Sequence, residues 1–367
     1  MTYKICHLTS VHTRFDTRIF SKECSSLVSF GYDVSLLVAD GLGNEIAQGV
    51  SIYDVGKSSS RLKRMLFATN RIYKKAIVQD ADVYHIHDPE LLPVATKLKK
   101  RGKKVLFDSH EDVPKQILSK PYLGEFAKKV ISNIFKIYQK QAISKLDGVV
   151  AATPFILEAL KPFSKKIIDI NNFPHVGELT ADKCTWNNKE NAISFVGSFS
   201  EIRGLNEVVN GLALTENPVT LFLGGHSTDN YLNHLKMLNG WGQVNYLGAL
   251  DRNAVREVFN KSFAGIVTFH PLPNHIDAQP NKMFEYMSAG IPVIASNFPL
   301  WKDIIEGNKC GLCVDPLDPA QIAVAIDYLY KNPQEAEKMG VNGMKAVNCK
   351  YNWHVEEKKL IRFYRSL

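Results

Sequence analysis

The chain has 367 residues, a formal net charge of +8 and a hydrophobic fraction of 45%, values that are ordinary for a globular protein of two domains. No run of about 18 apolar residues occurs, so no transmembrane helix is expected, and Lys4 and His7 interrupt the first apolar run, which argues against a signal peptide. The six cysteines suit a reduced, cytoplasmic protein, although Cys310 and Cys313 form a C-x-x-C pair that is either a redox motif or a turn.

Strand-like and helix-like patterns alternate along the first half of the chain. Short apolar runs predict strands at 3–8, 34–38, 83–86, 104–107, 148–151 and 167–170. A helical pattern covers 18–31 and ends at a glycine, which is a common stop signal for helices. Such alternation predicts a parallel sheet with helices on both faces.

The second half of the chain repeats this arrangement. Strands are predicted at 192–197, 219–225, 244–248, 264–269, 292–296 and 312–316, and helices at 204–214, 251–260 and 281–289. The stretch 174–190 has no clear period and is predicted to be a linker, while 351–367 has the pattern of a final amphipathic helix. We therefore expect domains at 1–175 and 176–348, followed by a C-terminal helical segment at 349–367.

A helix that begins after a proline contains the most informative residues of the second half. Ligands of doubly wound sheets bind at the carboxyl ends of the strands, so we expect the site in a cleft between the two domains. Pro280 opens a helix whose free N–H groups and partial positive charge would hold a diphosphate against Asn281 and Lys282. Glu285 lies one turn further, where its carboxylate can accept two ribose hydroxyls, and Asp277 precedes it by eight residues. The alternative is a plain structural helix with a glutamate that favours the helix dipole.

A second segment, FVGSFSEIRGLNEVV, joins a strand to a helix through a short loop. The strand ends at Gly197, and Arg203 with Gly204 opens the helix, which places a cation at the end that would face phosphate. Arg203 would balance the charge that develops on a departing diphosphate. The pattern is neither a G-x-G-x-x-G fingerprint nor a P-loop, and a surface arginine near a helix start is the alternative.

Residues 192–315 resemble the C-terminal domain of the family-four retaining glycosyltransferases with the GT-B fold. The matching motifs are GSFSEIRG, LFLGG, VNYLG, the spacing of Asp277 to Glu285, and PNKMFEYMSAGIPVIAS. The N-terminal half is similar to the same family through HLTSVHTRFDTRIFSKE, DVYHIHDPEL, VLFDSHEDVP and AATPFI. The resemblance implies an α/β protein with two Rossmann-like doubly wound domains facing a cleft. The first domain would bind the acceptor, the second the nucleotide sugar, and the C-terminal helix would pack back on the first.

The resemblance also implies a role for each matching position. His110 would face the donor sugar at the reaction centre, and Asp277, as the first acid of the family's E-x7-E pair, would contact the same sugar. Arg203 and Lys282 would bind the phosphates and complete the set of predicted catalytic residues. Glu285 would hold the donor ribose, and the predicted substrate-binding residues as a group are Glu285, Asn281, Met283, Gly197, Ser198, Arg18 and Asp16. No cofactor and no metal ion are implied.

Three positions depart from the family pattern. Asp277 is one methylene shorter than the usual glutamate, and Ser198 stands where many members have a second phosphate-binding arginine. The loop SVHTRFDTR after the first strand lacks the usual glycines, so its backbone cannot approach a phosphate as closely. Arg14 or Arg18 would then bind the phosphate through its side chain or contact the acceptor.

The implied reaction moves a sugar from a nucleotide sugar, with UDP favoured, to a glycan or lipid-linked acceptor in the synthesis of surface polysaccharide or lipopolysaccharide. The sugar would leave as an oxocarbenium-like species, and the acceptor would attack from the same face. A nucleotide-sugar epimerase of the same architecture is the first alternative. A basic nucleic-acid-binding protein is a weaker alternative, because the basic runs lack interleaved aromatic residues. A dithiol redox protein is the weakest.

The positive charge is concentrated in the first half, where residues 1–180 contain 27 Lys and Arg against 18 Asp and Glu. Basic stretches lie at 61–75, 97–104 and 125–145. The last of them contains, at helical spacings among its lysines, the apolar residues Val130, Ile131, Ile134 and Ile137. Helices of this kind lie on anionic membranes, here the inner face of the cell membrane, or form an ordinary solvated face over a core. Both interpretations are open at this point.

His85 and His87 alternate along a strand in YHIHDPE, so their side chains face the same side of the sheet. Two such histidines suggest a metal site, but structural hydrogen bonds at the end of a strand are the interpretation that we favour. Asp88 and Glu90 follow at the carboxyl end of the same strand, where they would reach an acceptor. His12, in the loop after the first strand, would reach the cleft.

Overall fold

The computed structural model of the protein describes residues 3–120, 123–180, 186 and 189–367. The chain forms two compact units, Met1–Asn172 with Val355–Leu367, and Phe173–His354. We call these the N-terminal unit and the C-terminal unit. Residues 181–185, 187 and 188 of the predicted linker lie outside the described residues.

The N-terminal unit is built on an eight-stranded sheet. Its strands are β1 (Lys4–Leu8), β2 (Asp33–Val38), β3 (Glu45–Ala47), β4 (Val50–Asp54), β5 (Val83–Ile86), β6 (Lys104–Ser109), β7 (Gly148–Ala151) and β8 (Ile167–Asp169). Their order is β3-β4-β2-β1-β5-β6-β7-β8, and each pair is parallel except β3 with β4. The chain builds outward from β1 in both directions, so the topological switch point lies between β1 and β5.

Helices cover this sheet, and local signals fix several of their ends. They are α1 (Ser25–Ser29), which continues a π-helical turn at Ile19–Cys24, α2 (Arg61–Lys63), α3 (Thr69–Gln79), α4 (Leu92–Lys100), α5 (Val113–Leu118), α6 (Glu125–Ile143) and α7 (Pro154–Leu160). Thr153 caps α7 by accepting a hydrogen bond from the N–H of Ile156, and Pro154 fills the first helical position. Asp80 ends α3 in the left-handed conformation, with a φ of 47°.

The C-terminal unit is built on a six-stranded parallel sheet. Its strands are β9 (Ala192–Val196), β10 (Thr220–Gly224), β11 (Val244–Gly248), β12 (Ala264–Val267), β13 (Val293–Ser296) and β14 (Gly311–Val314). Their order is β11-β10-β9-β12-β13-β14, so the connections leave β9 and β12 toward opposite edges of the sheet. The carboxyl ends of these two strands are therefore the expected ligand-binding position.

The helices of the C-terminal unit alternate with its strands. They are α8 (Leu205–Leu212), α9 (Asp229–Leu235), α10 (Arg252–Lys261), α11 (Asn281–Ser288), α12 (Pro299–Ile305), α13 (Pro319–Lys331) and α14 (Pro333–Cys349). Asp251 caps α10 by accepting a hydrogen bond from the N–H of Ala254 at 2.8 Å. Phe284 and Tyr286 of α11 are buried in the core, and this packing fixes the direction of its first turn.

The last helix, α15 (Trp353–Arg365), packs on the N-terminal unit. Leu360 and Ile361 are buried there, and the Tyr364 hydroxyl lies 2.8 Å from Nδ1 of His85. The return of the C-terminal helix to the N-terminal half, which the resemblance implied, is thereby confirmed. Among the residues that the structure describes, no helix has both the length and the apolar character needed to cross a bilayer.

The predicted strands and helices are found, with ends shifted by at most two residues. The hairpin of β3 and β4 was not predicted. It forms through a turn in which Gln48 and Gly49 adopt φ values of 50° and 80°. The predicted all-parallel sheet of the first half therefore carries one antiparallel edge strand.

Candidate functional site

Two cations meet beyond the carboxyl ends of β9 and β12 in the C-terminal unit. Lys282 lies in the first turn of α11, is 7% exposed, and holds its Nζ 3.4 Å from the centroid of the Phe195 ring. Arg203 ends a short 3-10 turn, and its Cζ lies 5.4 Å from the centroid of the Phe269 ring. The same ring centroid lies 5.7 Å from Lys282 Nζ, so both cations use the face of one aromatic ring.

Lys282 is a buried cation that no described residue neutralises. Its Nζ forms no hydrogen bond with any group in the described part of the chain. Burial, together with the charge of Arg203, holds the pKa of Lys282 well below its usual value, and Glu285 opposes only part of this shift. Lysines are almost never fully buried without a partner, because removing an ammonium group from water is costly. Among the described residues, the ammonium group of Lys282 therefore has no anionic partner within hydrogen-bond distance.

Two glycines make room for the cations. Gly197 follows β9 with a φ of +122°, and a Cβ built on it would lie 3.5 Å from Lys282 Nζ. Gly204 follows Arg203 with a φ of +76°, and a Cβ there would lie 1.8 Å from the carbonyl oxygen of Thr268. Any side chain at Gly204 would therefore displace the loop that carries Arg203.

Glu285 lies one turn after Lys282 and is held by an arginine that no sequence motif indicated. Its Oε1 accepts a hydrogen bond from Nη1 of Arg252 at 2.8 Å. Arg252 also donates from Nε to Oε1 of Glu178 at 2.8 Å, so it bridges two carboxylates. The carboxylate of Glu285 is thus oriented by Arg252, the first residue of α10.

The loops beside these cations present three further predicted residues. Ser198 is exposed, and its carbonyl oxygen accepts a hydrogen bond from Nη1 of Arg203 at 3.0 Å. Asn281 is exposed at the first residue of α11, and Asp277 is half-buried in the turn that precedes this helix. The structure therefore places Gly197 and Ser198 in the loop that leads to Arg203, Asp277 in the turn before α11, and Asn281 next to Lys282 in the first turn of α11.

Met283 is the predicted residue of this unit that the structure places elsewhere. Its side chain is fully buried in the hydrophobic core, and its N–H donates to the carbonyl oxygen of Pro280 at 3.1 Å. The predicted substrate contact of Met283 is therefore corrected. Because α11 turns one face inward, Met283 shares the core side with Phe284 and Met287.

His110 belongs to a hydrogen-bonded cluster at the switch point of the N-terminal unit. It follows β6, and its Nε2 lies 2.9 Å from Oδ2 of Asp108 and 3.2 Å from Nδ1 of His87. The ring of His12 packs on it, with 4.9 Å between centroids. Burial alone would raise the pKa of Asp108, but Arg18 and His110 hold this pKa well below its usual value. A buried, charged carboxylate thus fixes the orientation of the His110 ring.

Arg18 is buried inside this cluster, with 4% of its surface exposed. Its Nε and Nη2 each donate to one oxygen of Asp108 at 2.8 Å, and its Nη1 donates to the carbonyl oxygen of Ile170 at 2.7 Å. The predicted substrate contact of Arg18 is therefore corrected, because bidentate pairing occupies the fork of the guanidinium. Arg14 is also buried, and it pairs with Asp40 through Nε at 2.8 Å and Nη2 at 2.7 Å.

Asp16 organises the loop after β1. Its Oδ1 accepts hydrogen bonds from the N–H groups of Arg18 and Ile19, both at 2.9 Å, and its Oδ2 lies 3.3 Å from Nδ1 of His12. Burial opposes ionisation, but the hydrogen bonds from His12 and Ile19 hold the pKa of Asp16 well below its usual value. Asp16 is a charged, half-buried group, and its contact with substrate stays a prediction.

Asp88 and Glu90 hold the same loop from the end of β5. Oδ2 of Asp88 accepts hydrogen bonds from the N–H of Ser10 at 2.5 Å and from the hydroxyl of Thr9 at 2.9 Å. Oε1 of Glu90 accepts from the Ser10 hydroxyl at 2.6 Å and from Nε of Arg64 at 2.9 Å. The loop after β1, which lacks the glycines usual in the family, is therefore held in place by hydrogen bonds to the carboxylates of Asp88 and Glu90.

The histidines of β1 and β5 form a buried network that has some features of a metal site. Two groups place one ligand atom from each member within 4.8 Å of one another, and they are His7 with Glu23, His85 and His87, and His87 with Asp108 and His110. However, His7 Nδ1 and His87 Nε2 are 2.8 Å apart, a hydrogen-bond distance, whereas two ligands of a tetrahedral zinc ion are about 3.3 Å apart. Burial lowers the pKa of His7 and His85 far below its usual value, so neutral rings joined by hydrogen bonds account for this geometry.

Cys310 and Cys313 lie in a turn into β14 and in that strand, and Cys310 is buried. Cys310 is buried before β14, and its Sγ lies 3.4 Å from the carbonyl oxygen of Ile305, while Cys313 lies within the strand. Burial raises the pKa of both thiols to about 12. A reactive dithiol needs a lowered thiol pKa, so the geometry favours the turn.

Both halves of the chain match known glycosyltransferases. The family described as "Glycosyl transferases group 1" matches residues 178–346, and "Glycosyltransferase Family 4" matches residues 21–172. The chain is 23% identical to the D-rhamnosyltransferase WbpZ of Pseudomonas aeruginosa over 73% of this chain and 69% of that protein. The structure of sucrose-phosphate synthase from Thermosynechococcus elongatus has a TM-score of 0.81 at 17% identity, over 99% of this chain and 98% of that one. The structure of Anabaena HepE in complex with UDP and glucose has a TM-score of 0.76 at 13% identity, over 100% of both chains.

Proposed function

Because this chain belongs to the family-four glycosyltransferases and has the GT-B fold, we propose that it transfers a sugar from a nucleotide-sugar donor to an acceptor hydroxyl with retention of configuration. Lys282 carries the proposal, as a buried and unneutralised cation whose Nζ lies beside Gly197 and the ring of Phe195. The diphosphate of such a donor supplies the negative charge that this position lacks.

The diphosphate would bind at Lys282 and Arg203, on the side of the loop that Gly197 leaves open. As the glycosidic bond breaks, charge develops on the leaving phosphate, and fixed cations in a dry, aromatic setting stabilise that charge strongly. Two protein cations can supply this stabilisation by themselves, so the proposed reaction requires no metal ion.

Glu285 would accept hydrogen bonds from the ribose hydroxyls, with its carboxylate held in place by Arg252. UDP is the proposed nucleotide, and the similar fold of HepE, solved with UDP and glucose, supports this choice. His110 and Asp277 would contact the donor sugar. The hydrogen bond between His110 and the charged Asp108 would keep the ring in one orientation during transfer.

The proposed acceptor is a glycan or a lipid-linked sugar in the synthesis of surface polysaccharide or lipopolysaccharide. The N-terminal half carries the positive charge of the chain, with 27 Lys and Arg against 18 Asp and Glu in residues 1–180. We propose that this half meets the acceptor and an anionic membrane surface on the cytoplasmic side.

A panel of nucleotides and nucleotide sugars tests the donor. We expect UDP or a UDP-sugar to raise the melting temperature of the wild-type protein, and Arg203→Ala and Lys282→Ala to abolish the shift and lower the rate of UDP release with acceptor present. Lys261→Ala, on the exposed side of α10, is the matched control, and its shift and rate should equal those of the wild type. Unchanged turnover in both Arg203→Ala and Lys282→Ala would remove the proposal. Sugar turnover that needs no acceptor would favour an epimerase instead.

A further inference from the structure

Helix α6 of the N-terminal unit exposes most of its large apolar residues, unlike an ordinary surface helix. Its inner side buries two polar residues, Ser132 and Gln139, beside the apolar Ala142 and Ile143 of its last turn. The Ser132 hydroxyl donates to the carbonyl oxygen of Pro114 at 2.9 Å. Its outer side carries large exposed apolar residues, from Phe126 at 82% to Val130 at 38%, and they are Phe126, Val130, Ile131, Ile134, Ile137 and Tyr138. A helix that faced only water would turn such a stripe toward the core.

The charges of α6 follow the edges of this apolar stripe. At about 3.6 residues per turn, the six exposed apolar residues form one continuous band along the helix. Lys129, Lys136 and Lys140 line one edge of the band, and Lys128 lies beyond the other. Glu125 is the one acidic residue in the sequence of α6, so the exposed side is both apolar and strongly basic.

A second segment of the N-terminal unit has the same character. Between Arg61 and Ala68, the exposed apolar residues are Leu62, Met65, Leu66 and Phe67, with exposures between 43% and 72%. The exposed Arg61 and Lys63 lie among them. This segment leads into α3, and α3 and α6 both pack against α4, so both belong to one helical layer on the sheet. We call the outer sides of α6 and of residues 61–67 the basic–apolar face.

We propose that the basic–apolar face docks on an anionic lipid bilayer, with the apolar band of α6 inserted among the acyl chains and its lysines at the headgroups. Lysines beside an apolar band are the composition that binds such bilayers. A second copy of this chain fits the face poorly, because pairing α6 with α6 would bring like charges together. The stripe is also too apolar to be an ordinary solvated face.

The basic–apolar face begins at the same end of the sheet as His110, which connects it to the proposed function. Residues 61–67 follow β4, and α6 follows β6 through α5, so both segments begin at the carboxyl end of the parallel sheet. His110 also follows β6 at that end. A lipid-linked acceptor held in the bilayer would therefore present its head group at the edge of the sheet where His110 lies. This step rests on the proposed function, whereas docking itself requires no donor.

Cosedimentation of the purified full-length protein with vesicles tests the docking. We expect the protein to bind vesicles of phosphatidylcholine with phosphatidylglycerol at low salt, and to be released at high salt or from phosphatidylcholine alone. The double variant Ile134→Ser with Ile137→Ser should weaken binding at least about tenfold, because two apolar side chains that would be buried among the acyl chains are removed. Lys129→Gln with Lys136→Gln should weaken it about fivefold for each lysine removed.

The matched control is Val324→Ser with Tyr328→Ser, two exposed apolar residues at the same kind of spacing on α13, and its binding should equal that of the wild type. Equal binding to neutral and anionic vesicles, or equal binding by the isoleucine variant and the wild type, would overturn the proposal. A wild-type dimer that the isoleucine substitutions convert to a monomer would overturn it in favour of a second copy. UDP-dependent thermal shifts on the same samples report folding of each variant, and their absence in the wild type would count against the donor proposal and leave the vesicle result standing.

Discussion

Replacing Lys282 with Met should stabilise the ligand-free protein and abolish nucleotide binding. An uncompensated buried charge costs about 3–5 kcal/mol, and the contact with the Phe195 ring returns about 2 kcal/mol of this. Methionine fills the same space without the charge, so we expect a net gain of about 1–3 kcal/mol in the free energy of unfolding. For a domain of this size, each kcal/mol corresponds to a rise of about 2–4 °C in melting temperature.

The gain should depend on pH in one direction. Because the pKa of Lys282 is lowered in the folded state, the unfolded chain binds more protons than the folded chain between that pKa and about 10.4, the usual lysine value. The wild type should therefore become more stable as the pH rises through this window. The difference in the free energy of unfolding between Lys282→Met and the wild type should therefore be largest at the low-pH end of this window and decrease toward its high-pH end.

Urea unfolding with and without UDP provides the assay. A nucleotide at 100 times its dissociation constant should stabilise the wild type by about 2.7 kcal/mol and leave Lys282→Met unaffected. Lys261→Met, an exposed lysine on α10, should change neither quantity. A Lys282→Met protein that is less stable than the wild type, or one that UDP still stabilises, would refute the reasoning that this lysine awaits an anion.

Four other changes test neighbouring parts of the structure. Gly204→Ala should cost roughly 1–3 kcal/mol of stability and raise the KM for the donor, whereas Gly242→Ala, with open space around its Cα, should do neither in the same urea and rate measurements. Arg18→Lys should lose roughly 2–4 kcal/mol in urea unfolding, because a lysine cannot pair with both oxygens of Asp108, and an unchanged midpoint would contradict this. Arg252→Ala should raise the KM for the donor more than it lowers kcat, since it orients Glu285, and equal KM values would argue against that role. Treatment with a chelator should leave turnover unchanged, and a loss restored by one divalent metal would disprove metal independence.

The strands and most helix ends could be predicted because the signals are local. Buried parallel strands such as β5 and β7 are short apolar runs between turn residues, and their burial on both faces requires that composition. The hairpin of β3 and β4 was not predicted because it lies at the edge of the sheet. β3 has three residues, and Ile46 within it is 77% exposed, so no alternation of buried and exposed positions marks it.

The candidate site was only partly predictable because pairing across the chain leaves no local pattern. Arg203 and Lys282 were indicated by the loop and helix that carry them. Arg18 stood in a loop next to a strand end, and nothing near it in the sequence reveals that Asp108, ninety positions later, binds its guanidinium. Phe195 and Phe269 were missed because aromatic residues in and after strands normally serve the core.

The two sheets differ in the charge of the side chains at their switch points, and this difference supports the proposal that they bind different ligands. In the N-terminal unit, Arg18 and Asp108 neutralise each other next to His110. The guanidinium of Arg18 is therefore already paired with a carboxylate and needs no anionic ligand. In the C-terminal unit, no described carboxylate reaches Lys282, and the buried ammonium is left to be neutralised from outside. This difference is the reason for proposing that a diphosphate binds to the C-terminal unit. The N-terminal unit offers oriented imidazoles and fixed hydrogen bonds, which suit hydroxyl groups of a sugar, and its apolar outer helix suits the lipid that would carry them.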